Sequence, residues 1–277
     1  MDAFPPLSPR FQADAYRGTA EYYVRHRPPY PALLVRDLLG RVPVSGQGRL
    51  LDLACGPGRL ALALAPSFHE VLAVDAEEEM LAVGQLQAAR RGVGNVRWEL
   101  ARAEDLKASA ASFELVTIGE AFHRLDQPRV APLVFGWLQP GGGVATLGNY
   151  GILAGREPWQ RIVLGAVRKW APAPPAEPPS HRPPIGPEND AAVLRAAGFQ
   201  DVASHPFLEE RVWTIPEIFG YLYSTSICSR RVLGAAPAAF EAELTAALLA
   251  HDPAGRYRES LQWGYTFGRK PSIGGPA

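Results

Sequence analysis

Two cysteines in 277 residues, Cys55 and Cys228, are too few for a disulfide framework. Their spacing does not suit a zinc-ligand pair either, so no metal is expected. Neither sign of charge is in excess: Lys plus Arg and Asp plus Glu both number 28. Without a basic surplus the chain lacks the electrostatic means to hold nucleic acid through its phosphates. No apolar run is long enough to cross a bilayer. The stretch Met1 to Pro9 has no basic segment leading into an apolar one. The expectations are no signal peptide, no membrane partner, no nucleic-acid partner and a cytoplasmic, reducing location.

What is present is a chain that is 47% hydrophobic and 20% charged, enough to bury one large core or a core with a cap. Proline and glycine each number 27. Prolines cluster from Pro172 to Pro187, where neither a helix nor a central strand can form, so a loop or lid is expected there. No internal repeats are visible.

Hydrophobic periodicity sets the order of elements. Helices are expected over 12–25 and 31–39, the second with proline at its first turn. Near-continuous apolar runs mark buried strands at 49–54, 71–75, 96–100, 113–118 and 144–148. Helices are expected between them at 59–65, 77–91 and 129–138, with Gly141-Gly142-Gly143 as a tight turn before the fifth strand. Such alternation implies right-handed βαβ units in a doubly wound α/β sheet. Further on, helices are expected at 157–170, from a cap at Asn189 to Ala197, at 216–227 and at 238–251. Strands are expected at 202–214 and 256–270.

The most specific local pattern is Asp52-Leu-Ala54-Cys-Gly56-Pro-Gly58, a strand running into a glycine turn and a helix start. Glycine lets a ligand approach the backbone closely, because no Cβ stands in the way. The next strand ends at Asp75, where a carboxylate can accept hydrogen bonds from ribose hydroxyls. This is a nucleoside-cofactor pattern. Gly56-x-Gly58-x-x-Ala61 also satisfies a loose dinucleotide fingerprint. A carboxylate at Asp52 would repel a pyrophosphate but suits a ligand carrying an ammonium group.

With Ala103-Glu104-Asp105-Leu106, Ser112-Phe-Glu-Leu-Val116 and Leu138-Gln-Pro-Gly141, these motifs resemble the successive motifs of class I S-adenosylmethionine-dependent methyltransferases. The resemblance covers about residues 10–150. It is closer to the bacterial small-molecule types of ubiquinone biosynthesis and trans-aconitate methylation, whose tyrosine-rich first helix and Arg27-Pro-x-Tyr30-Pro pattern are also present. It implies a Rossmann-like seven-stranded sheet, mostly parallel with an antiparallel last strand, and helical cap elements. The implied division is 1–45 as an N-terminal helical lid, 46–150 as the cofactor-binding core, and 151–277 as substrate cap and closing strands.

The implied cofactor is S-adenosylmethionine. Asp52, Ala54, Gly56 and Gly58 would face its methionine part, Asp75 the ribose, and Ala76, Ala103 and Glu104 the adenine. Glu120 would sit where cofactor meets substrate, and Tyr23 and Arg27 would reach the cofactor from the first helix. Arg27 would pair with the cofactor carboxylate or with an acidic substrate. Arg102 and Arg124 depart from the family, which commonly has an acid and a tryptophan there.

His123 follows the fourth strand at the open carboxyl edge of the sheet, where a histidine can take a proton from an acceptor. Asn149 and Tyr150 end the fifth strand at that edge. Tyr221 and Ser224 belong to an unusually hydroxyl-rich helix, and with His123, Asn149 and Tyr150 they are the expected substrate contacts. Cys55 is expected to be a small buried residue, and His69, His181, His205 and His251 surface ones. The expected activity is methyl transfer to a small molecule at O, N or C. Other classes stay open: cyclisation of the cofactor's own side chain, a nicotinamide oxidoreductase, or a non-catalytic cofactor binder. A homo-oligomer is also left open.

Overall fold

The computed structural model describes residues 15–171 and 187–272. The expected loop from Pro172 lies outside them up to residue 186, as do residues 12–14 of the first expected helix and His181. The strands are β1 (Arg49–Leu53), β2 (Glu70–Asp75), β3 (Val96–Leu100), β4 (Phe113–Gly119), β5 (Leu138–Tyr150), β6 (Gln200–Thr214) and β7 (Arg256–Arg269). The helices are α1 (Ala20–His26), α2 (Ala32–Leu39), α3 (Arg59–Leu64), α4 (Glu78–Arg90), α5 (Gln127–Trp137), α6 (Pro158–Trp170), α7 (Pro187–Ala196), α8 (Ile215–Tyr223), α9 (Arg230–Leu233) and α10 (Pro237–His251).

One seven-stranded sheet has the order β3-β2-β1-β4-β5-β7-β6. The pairs β1–β2, β1–β4, β2–β3 and β4–β5 are parallel. β7 enters antiparallel beside β5, so the mixed, doubly wound architecture matches the expectation. Of the described residues, 15–28, 150–171 and 208–262 form one compact unit, and 29–149, 187–207 and 263–272 a second. The first is the cap unit and the second the core unit.

The core unit packs Leu51, Leu53, Val116 and Ile118 against Val130, Val134 and Trp137 of α5 and Leu194 of α7. Both central strands are buried along their length, which is why their sequences run apolar without alternation. The cap unit has a separate core in which Trp159 and Val163 meet Ile218, Leu222, Phe240, Leu244 and Tyr257. Side chains of this size each contribute about 1.5–3 kcal/mol on full burial.

The first expected helix is helical only from Ala20, residues 15–18 being a turn; three further boundaries and the surface placement of His205 differ from expectation for physical reasons. Residues 141–143 are not a turn before β5: the strand already starts at Leu138, with an irregularity opposite Phe113 and Leu115. A Cβ on Gly143 would lie 2.4 Å from the Phe267 ring, so glycine is there for close packing. Helix α7 starts two residues before Asn189, whose side chain donates to Gln127 (3.0 Å) instead of capping. Helix α8 stops at Tyr223, where the Ser224 hydroxyl turns back to the Tyr221 carbonyl. His205 is half-buried, its ring 4.9 Å from that of Tyr265, because it alternates onto the covered side of β6.

Candidate functional site

The carboxyl edge of the core unit is built mainly by backbone. After β1 the chain passes through three left-handed residues, Ala54 (φ 51°), Gly56 (55°) and Gly58 (71°). Alanine in that region carries strain of about 1–2 kcal/mol, a feature that clusters at functional sites. The Cys55 amide still pairs with the Val74 carbonyl at 3.0 Å, and Gly58 N–H closes the turn on the Cys55 carbonyl at 3.0 Å. A Cβ built on Gly56 would meet nothing within 4 Å, so that side of the turn is open.

Gly58 is the N-cap of α3 and has no side chain to satisfy the first amides. Asp52 does this from β1. Its carboxylate accepts from the Ala61 amide (3.0 Å) and the Thr117 hydroxyl (2.7 Å), joining strand, helix start and β4. It is 1% exposed, and burial pushes its pKa up to about 7. Asp75 ties the turn from the other side. Its oxygens accept from the amides of Gly56 (2.7 Å) and Glu77 (2.9 Å). Burial raises its pKa, while those amides, that of Ala76 and the charge of Arg124 oppose the rise. The Cys55 thiol is raised well above its ordinary value by burial and by Asp75 and Asp52, so it stays protonated while the turn is closed.

Two loops complete the edge. Ala103 and Glu104 are buried after β3. The Glu104 carboxylate accepts from the Asp126 amide at the start of α5 (3.1 Å) and pairs with Arg102 (3.5 Å). After β4, Glu120 is left-handed (φ 54°), with its carboxylate 2.6 Å from the Asn149 amide nitrogen and 3.8 Å from Arg59. Arg59 lies 5.1 Å over the Tyr30 ring, and the Tyr30 hydroxyl fills the space a Cβ on Gly119 would need (2.4 Å). Half-buried His123 follows in a short 3-10 turn, Phe122–Arg124.

The remaining expected residues belong to the cap unit. Arg27 precedes Pro28, which forbids continued helix and sets it extended (φ −70°, ψ 132°). Tyr23 lies one turn earlier, so its ring meets the guanidinium at 5.0 Å, and Tyr221 covers the other side at 4.6 Å. Arg27 Nε donates to Ser224 Oγ at 2.8 Å. Tyr150 is 44% exposed and stacks on Arg156 at 4.3 Å.

The structure thus brings together Asp52, Ala54, Gly56, Gly58, Asp75 and Ala76 on one edge, with Ala103, Glu104, Glu120 and His123 on flanking loops and Asn149 near the end of β5. It brings together Tyr23, Arg27, Tyr221 and Ser224 in the other unit, apart from Tyr150. Sequence reasoning missed Arg59 and assigned no role to Tyr30. The available signals were that Arg59 follows the glycine turn directly and that Tyr30 sits in the Arg-Pro-x-Tyr-Pro pattern. Among the described residues no cluster of His, Cys, Asp and Glu could hold a metal ion.

Residues 50–142 match the family model described as "Methyltransferase domain". The chain is 39% identical over 83 residues to the uncharacterized methyltransferase YcgJ of Bacillus subtilis, covering 30% of this chain and 33% of that protein. It is 38% identical over 86 residues to demethylmenaquinone methyltransferase of Geobacillus kaustophilus, covering 30% and 37%. The matched segment therefore spans about a third of the length of these curated relatives. In fold, the crystal structure of Bacillus subtilis YcgJ superposes over 87% of this chain and 100% of that one, with a TM-score of 0.57 at 20% identity. The strand–glycine turn–helix edge and Asp75 thus lie inside the segment that matches the methyltransferase domain model, on a sheet of order 3-2-1-4-5-7-6.

Proposed function

We propose that the protein transfers a methyl group from S-adenosylmethionine to a small-molecule acceptor. The observation that carries this reading is the Ala54–Gly58 turn, open at Gly56 and bonded to Asp75. The donor set fits the cofactor. Asp75 supplies acceptors for the ribose hydroxyls, the turn supplies backbone amides and carbonyls for the methionine part, and Ala76, Ala103 and Glu104 border the adenine. When bound, the cofactor supplies a methyl group already activated by its sulfonium.

The chain's own task is then mostly geometric. Asp52 holds the turn onto α3 and β4. Glu120, fixed by Asn149 and Arg59, offers a carboxylate with a set direction for an acceptor's N–H or O–H. His123 takes the acceptor's proton. Alignment and water exclusion contribute the rest. Arg27, held between two tyrosine rings, recognises a carboxylate ligand in the cap unit. Tyr221 and Ser224 hold Arg27 in place.

Calorimetric titration with S-adenosylhomocysteine, run beside NADH, tests the reading; heat with NADH alone would overturn it. Mass spectrometry of products separates methyl transfer, which yields S-adenosylhomocysteine, from cyclisation of the cofactor, which yields methylthioadenosine. With the true acceptor, His123→Ala should lower kcat by about 100-fold or more. Unchanged turnover would remove His123 as base.

A further inference from the structure

Trp98 is a residue for which the cofactor reading has no use, yet it touches the glycine turn directly. It lies on β3 and pairs across to Ala73 on β2. A Cβ built on Gly58 would lie 2.3 Å from Trp98 Cη2 and 2.8 Å from its Cζ3. A Cβ built on Gly84 of α4 would lie 2.5 Å from Cζ3, 2.6 Å from Cη2 and 3.2 Å from the Pro57 carbonyl carbon. The outer edge of the indole is therefore clamped between the turn and α4, and α4 presses on the turn itself at Pro57.

Gly84 has no other reason to be glycine. It sits inside a 13-residue helix with ordinary helical backbone, where glycine is a weak choice relative to alanine. Gly58 needs glycine twice, for its left-handed φ of 71° and for the indole against it.

We propose that Trp98 is a positioning residue. Its indole, seated in the notch made by Gly84, buttresses the Ala54–Gly58 turn from behind and sets where that turn's backbone lies. The consequence for cofactor affinity rests on the methyltransferase reading; the turn's position does not. Interiors pack too tightly for the ring to yield to a methyl group without moving a neighbour, and the neighbour is the turn.

Cys55 supplies a reporter inside the turn. It is half-buried and not fully buried as expected, whereas Cys228 is fully buried, with its thiol pushed up to about 12 by burial, and stays silent. The experiment measures the rate of N-ethylmaleimide labelling of Cys55, with the thermal midpoint, in full-length wild type, Gly84→Ala, Trp98→Phe and the double variant. Phenylalanine lacks the indole atoms that an alanine methyl at 84 would strike. Each single change should speed Cys55 labelling on the order of tenfold, as a local opening would, and lower the midpoint, through overpacking at 84 or the space left at 98; the double variant should regain both. The double variant should return to within about threefold of wild type, because the two volume changes compensate.

Wild-type labelling rates in both single variants, or no recovery in the double, would overturn the buttress. Titration of the same four proteins with S-adenosylhomocysteine adds a second reading, in which the singles bind about tenfold more weakly and the double recovers. If wild type fails to bind it at all, the methyltransferase reading falls, while the labelling rates still decide the role of Trp98.

Discussion

The two compact units solve the problem of holding a functional constellation in opposite ways. In the core unit the Ala54–Gly58 edge is shaped by backbone. Three left-handed residues make the turn, and two carboxylates, buried Asp52 and half-buried Asp75, secure it through amides. In the cap unit the constellation is made of side chains. Arg27 is held by two aromatic faces and by the hydroxyls of Ser224 and Tyr221, with no backbone special among Tyr23, Arg27, Tyr221 and Ser224. Each unit also contains a buried carboxylate acting as a staple. Asp52 joins β1, α3 and β4, while Glu259 accepts from Trp213 (2.5 Å) and Gln160 (2.6 Å) to join β6, β7 and α6. A backbone-made edge tolerates few sequences but is legible in them. A side-chain-made cluster can be assembled from many, and shows little pattern.

The difference leads to opposite mutational profiles. The largest effect is expected at Gly58→Ala, which adds left-handed strain of about 1–2 kcal/mol and a collision with Trp98. Chemical denaturation should show a loss of about 3 kcal/mol or more. A loss under 1 kcal/mol would mean that the turn adapts and is not set by its backbone. Next, Asp75→Ala should weaken S-adenosylhomocysteine binding on the order of 100-fold in calorimetry, through lost charge-assisted hydrogen bonds and a loosened turn. Unchanged affinity would place the ribose elsewhere.

The two staples should share one pH signature. Asp52 has a folded-state pKa of about 7 against an unfolded value near 4, so the native state binds the proton more tightly. Its stability contribution is then greatest below about pH 4 and falls as pH rises towards 7, by at most about 1.4 kcal/mol per unit. Asp52→Asn keeps an acceptor for Ala61 and cannot ionise, so thermal midpoints of variant and wild type should converge, then cross in the variant's favour, between pH 4 and 7. Glu259, raised by burial with Trp213 and Gln160 opposing, should behave likewise in Glu259→Gln. A pH-independent difference in either would show that the carboxylate is solvated.

The smallest effect is expected in the cap unit. Arg27→Lys should lose the two-faced stacking and the directional bond to Ser224, lowering stability by about 1 kcal/mol. It should leave the labelling rate of Cys55 unchanged. A shift there would break the division into two separately built regions.

How much was legible follows the same line. The central strands were readable because both faces are buried, and buried parallel strands read as unbroken apolar runs. The glycine turn and Asp75 were readable because only certain residue types allow that backbone and that acceptor. β5 was misjudged at its start because glycines usually mark turns, and only the Phe267 ring behind Gly143 shows that here they mark close packing. Arg59, Tyr30 and Trp98 escaped notice because each is an ordinary residue on its own element. What matters is the loop or strand that meets it from elsewhere in the chain.

By itself, then, the sequence determined the local geometry: which residues turn left-handed, where strands run apolar, and where a carboxylate ends a strand. These follow from steric limits and solvent exclusion acting on neighbours in the chain. The tertiary structure decided which carboxylates become buried staples, that Arg27 is gripped by Tyr221 and Ser224 about two hundred positions away, and that an indole on β3 supports a turn after β1. Those outcomes depend on close packing between distant segments, and no local pattern encodes the atom that will fill a given space.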